Sequence, residues 1–271
     1  MKNKFKLNSS TLLVFILTTG VFGIINTEMG VIGILPLIAE NFQVTVPEAG
    51  WTVSIFALVV AISAPITPLL FSGINRKKVM ILALGLFTLS NIISMMTTNF
   101  TVLLISRALP AFLHPVYVSM AFTVAAASVS KEKAPKAVAK VFIGVSAGMV
   151  LGVPVTSYIA SEVSYSMSML FFTVVNALVL VATILFVPSM PVKEKLSYGT
   201  QLSVLKKKVV WYSILAITLI NGALFGFFSY MSDYLKTITG VSYTVISTML
   251  LIYGLANIIG NVIAGKQLAV N

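Results

Sequence analysis

Apolar residues run along most of the chain in long stretches that short polar segments separate. Eight of these stretches reach the length of about 20 mainly apolar residues that a membrane-spanning helix needs. We number them spans 1 to 8 in chain order. They cover residues 11–37, 49–71, 79–97, 100–128, 138–161, 167–188, 209–235 and 243–265. The pattern predicts an all-α integral membrane protein that folds as a helical bundle.

The composition supports a membrane environment. The 271 residues are 58% hydrophobic and 9% charged, whereas about a quarter of the residues in an average soluble domain are charged. A soluble protein of this length could not hide so much apolar surface. Cysteine is absent and histidine occurs once, which excludes disulfides and thiolate metal sites. We therefore expect no metal and no cofactor.

The basic residues predict the orientation of the spans. Of the 18 Lys and Arg residues, all except Arg107 and Lys236 lie at the termini or in the connections on the same side as the termini. The positive-inside rule then places both termini in the cytoplasm of a bacterial cell, with the spans in its cytoplasmic membrane. The net charge of +11 is explained by loops that face anionic lipid headgroups, and nucleic acid is not an expected partner.

The chain divides into two membrane units joined by a polar segment. Residues 1–188 hold the first six spans, 189–208 form a lysine-rich cytoplasmic linker, and 209–271 hold the last two spans. Spans 7 and 8 repeat the arrangement of spans 1 and 2. Weak internal repetition of this kind is typical of secondary transporters, in which two bundles move around a site at their interface.

Several short stretches together carry a family resemblance. They are TEMGVIGILPLIAENF and PEAGWTVSIFALVVAISAP in spans 1 and 2, NRKK after span 2, SRALPAFLHPVY in span 4, GVSAGMVLGVP in span 5 and FSYMSDYLKTITGVS at the end of span 7. The chain resembles the major facilitator superfamily, in the drug:proton antiporter branch that includes arabinose efflux permeases. Members have twelve spans. The resemblance thus implies a complete six-helix N-terminal half, two helices of the C-terminal half, and four spans missing.

Two charged residues lie deep within the spans. Glu28 in span 1 and Arg107 in span 4 are at similar predicted depth, where each charge costs about 2.5–3.5 kcal/mol. We expect the two side chains to meet. A nearby arginine favours the ionised carboxylate and a dry interior favours the protonated one, so the pair suits a proton or cationic-substrate site. The alternative is a buried ion pair that only fixes helix packing.

The resemblance supports a functional role for this pair, because the family's acidic residue of the first span and its span 4 arginine fall on Glu28 and Arg107.

His114 follows Arg107 by seven residues, so it projects from the same face of a helix. Histidine changes its charge near neutral pH, which makes His114 a candidate proton relay or else a hydrogen-bonded packing residue. Pro110 and Pro115 predict a bend in span 4.

Span 5 carries Gly144, Gly148 and Gly152 at four-residue steps, followed by Pro154. Small residues at this spacing let another helix approach closely, and the proline adds a kink. Packing alone explains the pattern. By resemblance it is the antiporter motif of the family's fifth span, although the continuation GVPVTS departs from the family's Gly-Pro and double glycine.

The cytoplasmic loop after span 2 matches the family in part. Arg76 and Lys77 match the family pattern, whereas Ser72 stands where the family has aspartate and Asn75 where it has glycine. The two basic residues anchor the loop at the cytoplasmic surface or take part in the family's inner gate. In the family this aspartate takes part in a charge interaction that locks the inner gate. Because the aspartate is absent here, the resemblance does not imply that interaction for this loop.

The leading hypothesis is a proton-coupled secondary active transporter that exports small organic compounds of drug or sugar type by alternating access. Its expected partners are a small-molecule substrate, protons and the lipid bilayer. Antiport and symport remain alternatives. A second hypothesis is a truncated, transport-inactive fragment. An enzyme would need convergent carboxylates or a metal set, so we do not expect catalysis.

Overall fold

The computed structural model describes residues 9–192 and 206–268, with side chains described for 10–192 and 206–256. Every regular element in these ranges is a helix. Most of the predicted linker, residues 193–205, lies outside the described part, as do the lysines before span 1. The all-α class predicted from the sequence is confirmed.

Twelve α-helices make up the described chain. They are α1 (Ser9–Gly30), α2 (Leu35–Phe42), α3 (Val46–Ala49), α4 (Trp51–Ser63), α5 (Thr67–Leu70), α6 (Arg76–Met96), α7 (Phe100–Ala111), α8 (His114–Ala127), α9 (Ala134–Glu162), α10 (Tyr165–Phe186), α11 (Lys208–Thr237) and α12 (Tyr243–Leu268). Short 3-10 helices occupy Val31–Ile34 and Lys131–Lys133.

The helices correspond to the predicted spans. Spans 3, 5, 6, 7 and 8 are the single helices α6, α9, α10, α11 and α12, whereas spans 1, 2 and 4 are each built from two or more helical pieces. In the described residues, seven helical segments are long and apolar enough to cross a membrane. They coincide with spans 1 to 7. Span 8 lies on α12, whose apolar portion with described side chains is Tyr243–Ala256.

Proline marks the break in span 4 but does not interrupt span 5. Span 4 changes from α7 to α8 around Phe112, with Pro110 in the last turn of α7 and Pro115 in the first turn of α8. Proline lacks the N–H that an unbroken helix requires, so the helix is interrupted where the sequence predicts a bend. Span 5 differs, because α9 runs without interruption through Pro154.

Spans 1 and 5 pack closely because the glycines of span 5 face span 1. An added Cβ at Gly144 would collide with the backbone carbonyl of Thr18. At Gly148 it would lie 2.8 Å from Cβ of Ile25, and at Gly152 it would lie 2.9 Å from Oδ1 of Asn26. The structure confirms the close helix contact and identifies span 1 as the partner.

Spans 7 and 8 join the first six spans at the predicted external end. There, Ile32, Val153, Ile246 and Leu250 form a buried apolar cluster, which we call the outer cluster. Nearby, the hydroxyl of Thr244 donates to Oε1 of Glu162 at 3.0 Å. The described spans 7 and 8 are therefore in contact with the first six spans at this end.

The predicted cytoplasmic loop is held against the end of span 6. The Asn75 amide donates to Oγ of Ser189 at 2.8 Å, and its carbonyl oxygen accepts from the backbone N–H groups of Lys77 and Met190. Lys77 Nζ donates to the Ile184 carbonyl at 2.8 Å. The asparagine that replaces the family's glycine thus fastens the loop to the beginning of the linker.

Candidate functional site

Glu28 and His114 form the central pair of the candidate site. The Oε2 atom of Glu28 lies 3.1 Å from Nε2 of His114, with 18% and 12% of the two side chains exposed. The contact lacks hydrogen-bond alignment, and in the described part of the chain neither imidazole nitrogen has an aligned partner. Phe56 packs edge-on against the imidazole, with 5.9 Å between ring centroids. The two groups thus meet at a site where part of each side chain is exposed but both imidazole nitrogens are buried.

Local structure explains how the pair meets. Glu28 lies in the last turn of α1, just before the chain tightens into the 3-10 helix Val31–Ile34. His114 is the first residue of α8, directly after the break in span 4. The break therefore directs the imidazole toward span 1. In this way the interrupted span 4 brings His114 to Glu28.

Arg107 lies beside the pair and is buried, with 3% of its surface exposed. Its guanidinium donates to the backbone carbonyls of Thr27 at 2.8 Å, Glu28 at 3.2 Å and Thr52 at 3.3 Å. The Phe56 ring lies under it, with 4.9 Å from Cζ to the ring centroid, a distance suited to a cation–π contact.

This arrangement corrects the expected direct pairing of Arg107 with the Glu28 carboxylate. Among the described residues, the carboxylate has its ion-pair contact with His114. The reason is the end of α1, because the last four carbonyls of an α-helix lack intrahelical donors. The planar guanidinium offers five N–H groups, and it satisfies carbonyls of spans 1 and 2 instead.

A buried polar network lies behind Arg107. Oγ1 of Thr27 accepts from Nδ2 of Asn176 at 2.9 Å and from Nδ2 of Asn91 at 3.4 Å, and it donates to the Gly23 carbonyl. These bonds connect spans 1, 3 and 6, and Arg107 extends them to span 4. The network holds the backbone on which Glu28 sits.

Sequence analysis missed four residues of this surrounding, namely Thr27, Thr52, Phe56 and Asn91. Asn91 carried a signal, since an amide within an apolar span tends to hydrogen-bond between helices. The residue type of Thr52 gave no indication of its role, because only its backbone carbonyl accepts from Arg107. Phe56 is one of many phenylalanines, and only the fold shows that it contacts both Arg107 and His114.

A cavity of about 230 Å³ lies between spans 1, 5, 7 and 8. Met29, Ser146, Asn221, Phe228 and Tyr253 are among its lining residues. Phe228 also packs on the outer cluster, so this cluster borders the cavity on the predicted external side. Met29 lines the cavity while its neighbour Glu28 contacts His114, which places the charged pair next to the cavity along span 1.

The remaining predicted residues stay apart from the pair. Gly144, Gly148 and Gly152 form the contact between spans 5 and 1. Arg76 and Lys77 lie at the cytoplasmic end, where the Arg76 N–H donates to the Met190 carbonyl at 3.1 Å. In the described ranges, no group of three or more His, Cys, Asp and Glu side chains could hold a metal ion.

Comparison with known proteins identifies related chains. A family model described as Major Facilitator Superfamily matches residues 12–268. The inner membrane transport protein YdhP of Escherichia coli strain K12 is 31% identical over 250 residues, which cover 92% of this chain and 64% of YdhP. The putative transporter AraJ of the same strain is 27% identical with the same coverage. YtbD of Bacillus subtilis, an uncharacterized transporter, is 32% identical over 256 residues, 92% of this chain and 63% of YtbD.

Solved structures show the same fold. A bacterial homolog of the human lysosomal transporter Spinster, crystallised in an inward-facing and unoccupied conformation, has a TM-score of 0.69 at 17% identity, over 92% of this chain and 59% of the other. The human organic anion transporter MFSD10 has a TM-score of 0.64 at 16% identity, over 91% and 70%. The chain thus spans less than two thirds of the length of its sequence relatives YdhP and AraJ.

Proposed function

The chain belongs to the major facilitator superfamily, and from that premise we propose that it is a proton-coupled secondary transporter that exports small organic compounds by alternating access. It acts in the bacterial cytoplasmic membrane with both termini in the cytoplasm. The observation that carries the proposal is the 3.1 Å contact between Glu28 and His114. Relatives described as transport proteins support the activity.

The pair is suited to exchanging a proton. A carboxylate and an imidazole can each take up one proton, and burial makes an unbalanced charge costly. Because the contact is unaligned, no hydrogen bond fixes the proton on either group. Part of each side chain remains exposed, although both imidazole nitrogens are buried. Protonation of Glu28 removes its attraction for a charged imidazole and so weakens the link between spans 1 and 4.

Arg107 acts as a positioning residue in this scheme. Its three bonds to carbonyls of spans 1 and 2 fix the end of α1 that carries Glu28. The guanidinium stays charged through the cycle, because arginine is not deprotonated in proteins. The proton is therefore exchanged by Glu28 and His114, beside a constant positive charge.

The cavity between spans 1, 5, 7 and 8 supplies a place for the substrate. The outer cluster borders it on the predicted external side, so the compound enters from the cytoplasm. Met29 joins the two sites, because it lines the cavity and directly follows Glu28. A shift of this segment of span 1 on protonation would change the cavity wall, which couples the proton to the substrate.

A flux measurement with a matched control tests the proposal. The protein is reconstituted in liposomes with an imposed pH gradient, and accumulation of fluorescent 2-naphthamide and of the cationic 2-naphthamidinium is followed. We expect the gradient to drive accumulation of at least one probe by wild type and by Glu132→Gln, since Glu132 is exposed in the short 3-10 helix Lys131–Lys133. Glu28→Gln should lose the gradient-driven accumulation and retain gradient-independent exchange.

The proposal fails if Glu28→Gln accumulates the probe with the same dependence on the gradient as wild type. It also fails if the wild-type chain moves neither probe above protein-free liposomes. His114→Gln provides a second variant, for which we expect the same loss of coupling because the carboxylate then has no titratable neighbour at 3.1 Å.

A further inference from the structure

Aromatic rings form one wall of the cavity between spans 1, 5, 7 and 8. Phe228 and Tyr253 stack there, with ring centroids 5.0 Å apart and an angle of 25° between the planes. Met29 and Met149 also line the space. Aromatic pairs gain energy from offset stacking, and methionine sulfur contacts rings favourably. The wall therefore suits a flat aromatic ligand.

Charge narrows the choice of ligand. Among the described residues, every side chain that lines this cavity is uncharged. The neighbouring carboxylate of Glu28 contacts His114, and it is not part of the lining. Placing an ion in an apolar space without an opposite charge is unfavourable. The lining thus favours an uncharged compound over a cation of the same shape, in contrast to the cationic substrate considered from the sequence.

Asn221 provides a polar contact in this apolar lining. Its Nδ2 donates to the Ile217 carbonyl of its own helix at 2.9 Å, which leaves the carbonyl oxygen to accept a hydrogen bond from a ligand. Ser146 of span 5 also lines the cavity and adds a hydroxyl. A ligand with an N–H or O–H group can therefore be bound without leaving that donor unpaired.

The volume sets the size of the compound. An apolar protein cavity of about 150 Å³ holds benzene, so the space of about 230 Å³ suits one or two rings. We infer that this cavity binds uncharged compounds with one or two aromatic rings and a hydrogen-bond donor, that the uncharged lining sets the preference for the uncharged form, and that Asn221 accepts the hydrogen bond. This inference rests on the proposed function, because it names the substrate class of the same transporter.

A pair of probes that differ in charge and share a shape tests the inference. Binding of 2-naphthamide and of 2-naphthamidinium to the purified full chain in lipid nanodiscs is measured by equilibrium dialysis, and binding to empty nanodiscs is subtracted. We expect wild type to bind the amide at least about tenfold more tightly than the amidinium. The control variant Glu132→Gln, which is changed at an exposed residue of the short 3-10 helix, should give the same ratio.

Two variants at Asn221 sharpen the test. Asn221→Asp adds a carboxylate to the wall, and the ratio should shift toward the amidinium by at least about tenfold. Asn221→Leu keeps the wall uncharged, so it should still discriminate against the amidinium while it binds the amide more weakly. Because Asn221 is exposed and hydrogen-bonds to its own helix, both variants should fold.

Three results would overturn the inference: tighter or equal binding of the amidinium by wild type, an unchanged ratio in Asn221→Asp, or no binding of either probe above empty nanodiscs. Failure of the proposed function looks different. If the amide binds as expected but a pH gradient never drives its transport, the substrate preference stands and the coupling fails. If the gradient drives transport of the amidinium through Glu28, the coupling stands and the preference fails.

Discussion

Arg107 shows how one buried charge organises its surroundings at the scale of a residue. Its guanidinium bonds to carbonyls in spans 1 and 2 and covers the Phe56 ring. These bonds join the last turn of α1 to the first turn of α4. A hydrogen bond to a charged group contributes about 1.5–3 kcal/mol, which offsets the cost of keeping the charge within the membrane.

We expect Arg107→Leu to lower the free energy of unfolding by about 2–4 kcal/mol, because three carbonyl contacts lose their charged donor. Unfolding by SDS titration in mixed micelles measures this loss. Arg76→Leu serves as the control, since the Arg76 side chain is only partly buried at the cytoplasmic end, and its change should stay within about 0.5 kcal/mol. Equal losses for both variants would contradict the role assigned to Arg107.

The sequence predicted the members of the site better than their pairing. Glu28 and Arg107 stand out because a charge at that depth is costly, and the spacing from Arg107 to His114 places both on one face. Which group contacts which depends on helix rotation, side-chain rotamers and the unpaired carbonyls at the end of α1. None of these follows from residue type and depth alone, and the functional roles stay predictions.

Glycine determines the closest contact at the scale of the elements. Gly144, Gly148 and Gly152 bring span 5 against span 1, and Gly254 allows span 8 to approach span 5, since a Cβ there would lie 2.9 Å from Cγ1 of Val150. Span 5 is therefore packed between span 1 and span 8. The four-residue spacing predicted a close contact, but only the fold shows the partner.

Gly144→Ala should destabilise the protein by about 1–3 kcal/mol, because the new Cβ meets the Thr18 backbone carbonyl, which cannot move aside without shifting α1. Gly85→Ala is the matched control in span 3, where a Cβ has open space around it, and helix propensity should stabilise it by up to about 1 kcal/mol. Opposite signs in an SDS unfolding titration are the expected result. Changes of the same sign and size would show that Gly144 is no contact residue.

Asn75 should hold the beginning of the linker in place. Asn75→Ala removes the cap of α6, worth about 1 kcal/mol, together with the bonds to Ser189 and Met190. Hydrogen exchange at the Met190 amide should become faster. Asn99→Ala removes a comparable cap from α7 without a bond to this segment, so exchange at Met190 should stay at its wild-type rate. Unchanged exchange in Asn75→Ala would contradict the fastening of the linker.

The whole molecule combines a bundle of six spans with two further spans that meet it at the predicted external end. The apolar pattern predicted the class and the positions of the spans, and proline predicted the break in span 4. The break in span 2 between Ser63 and Thr67 was not predicted. The cavity could not be found from the sequence either, since its lining comes from spans far apart in the chain.

Span 1 connects the apolar cavity to the Glu28 and His114 pair at the scale of the whole molecule. Met29 lines the cavity, Glu28 contacts His114, and Arg107 fixes the backbone of Glu28. In the proposed mechanism, a compound that binds in the cavity changes the surroundings of the carboxylate without touching it. Linkage requires the reverse as well, so protonation must alter the affinity of the cavity for its ligand.

Proton release on ligand binding tests this coupling most directly. In weakly buffered solution with a pH-sensitive dye, saturation of the purified protein with the naphthyl probe that it binds should release up to about one proton per bound probe. Wild type and Glu132→Gln should show this release, and Glu28→Gln, with binding intact, should show none. The same release from Glu28→Gln as from wild type would contradict the assignment of the exchanged proton to the Glu28 and His114 pair.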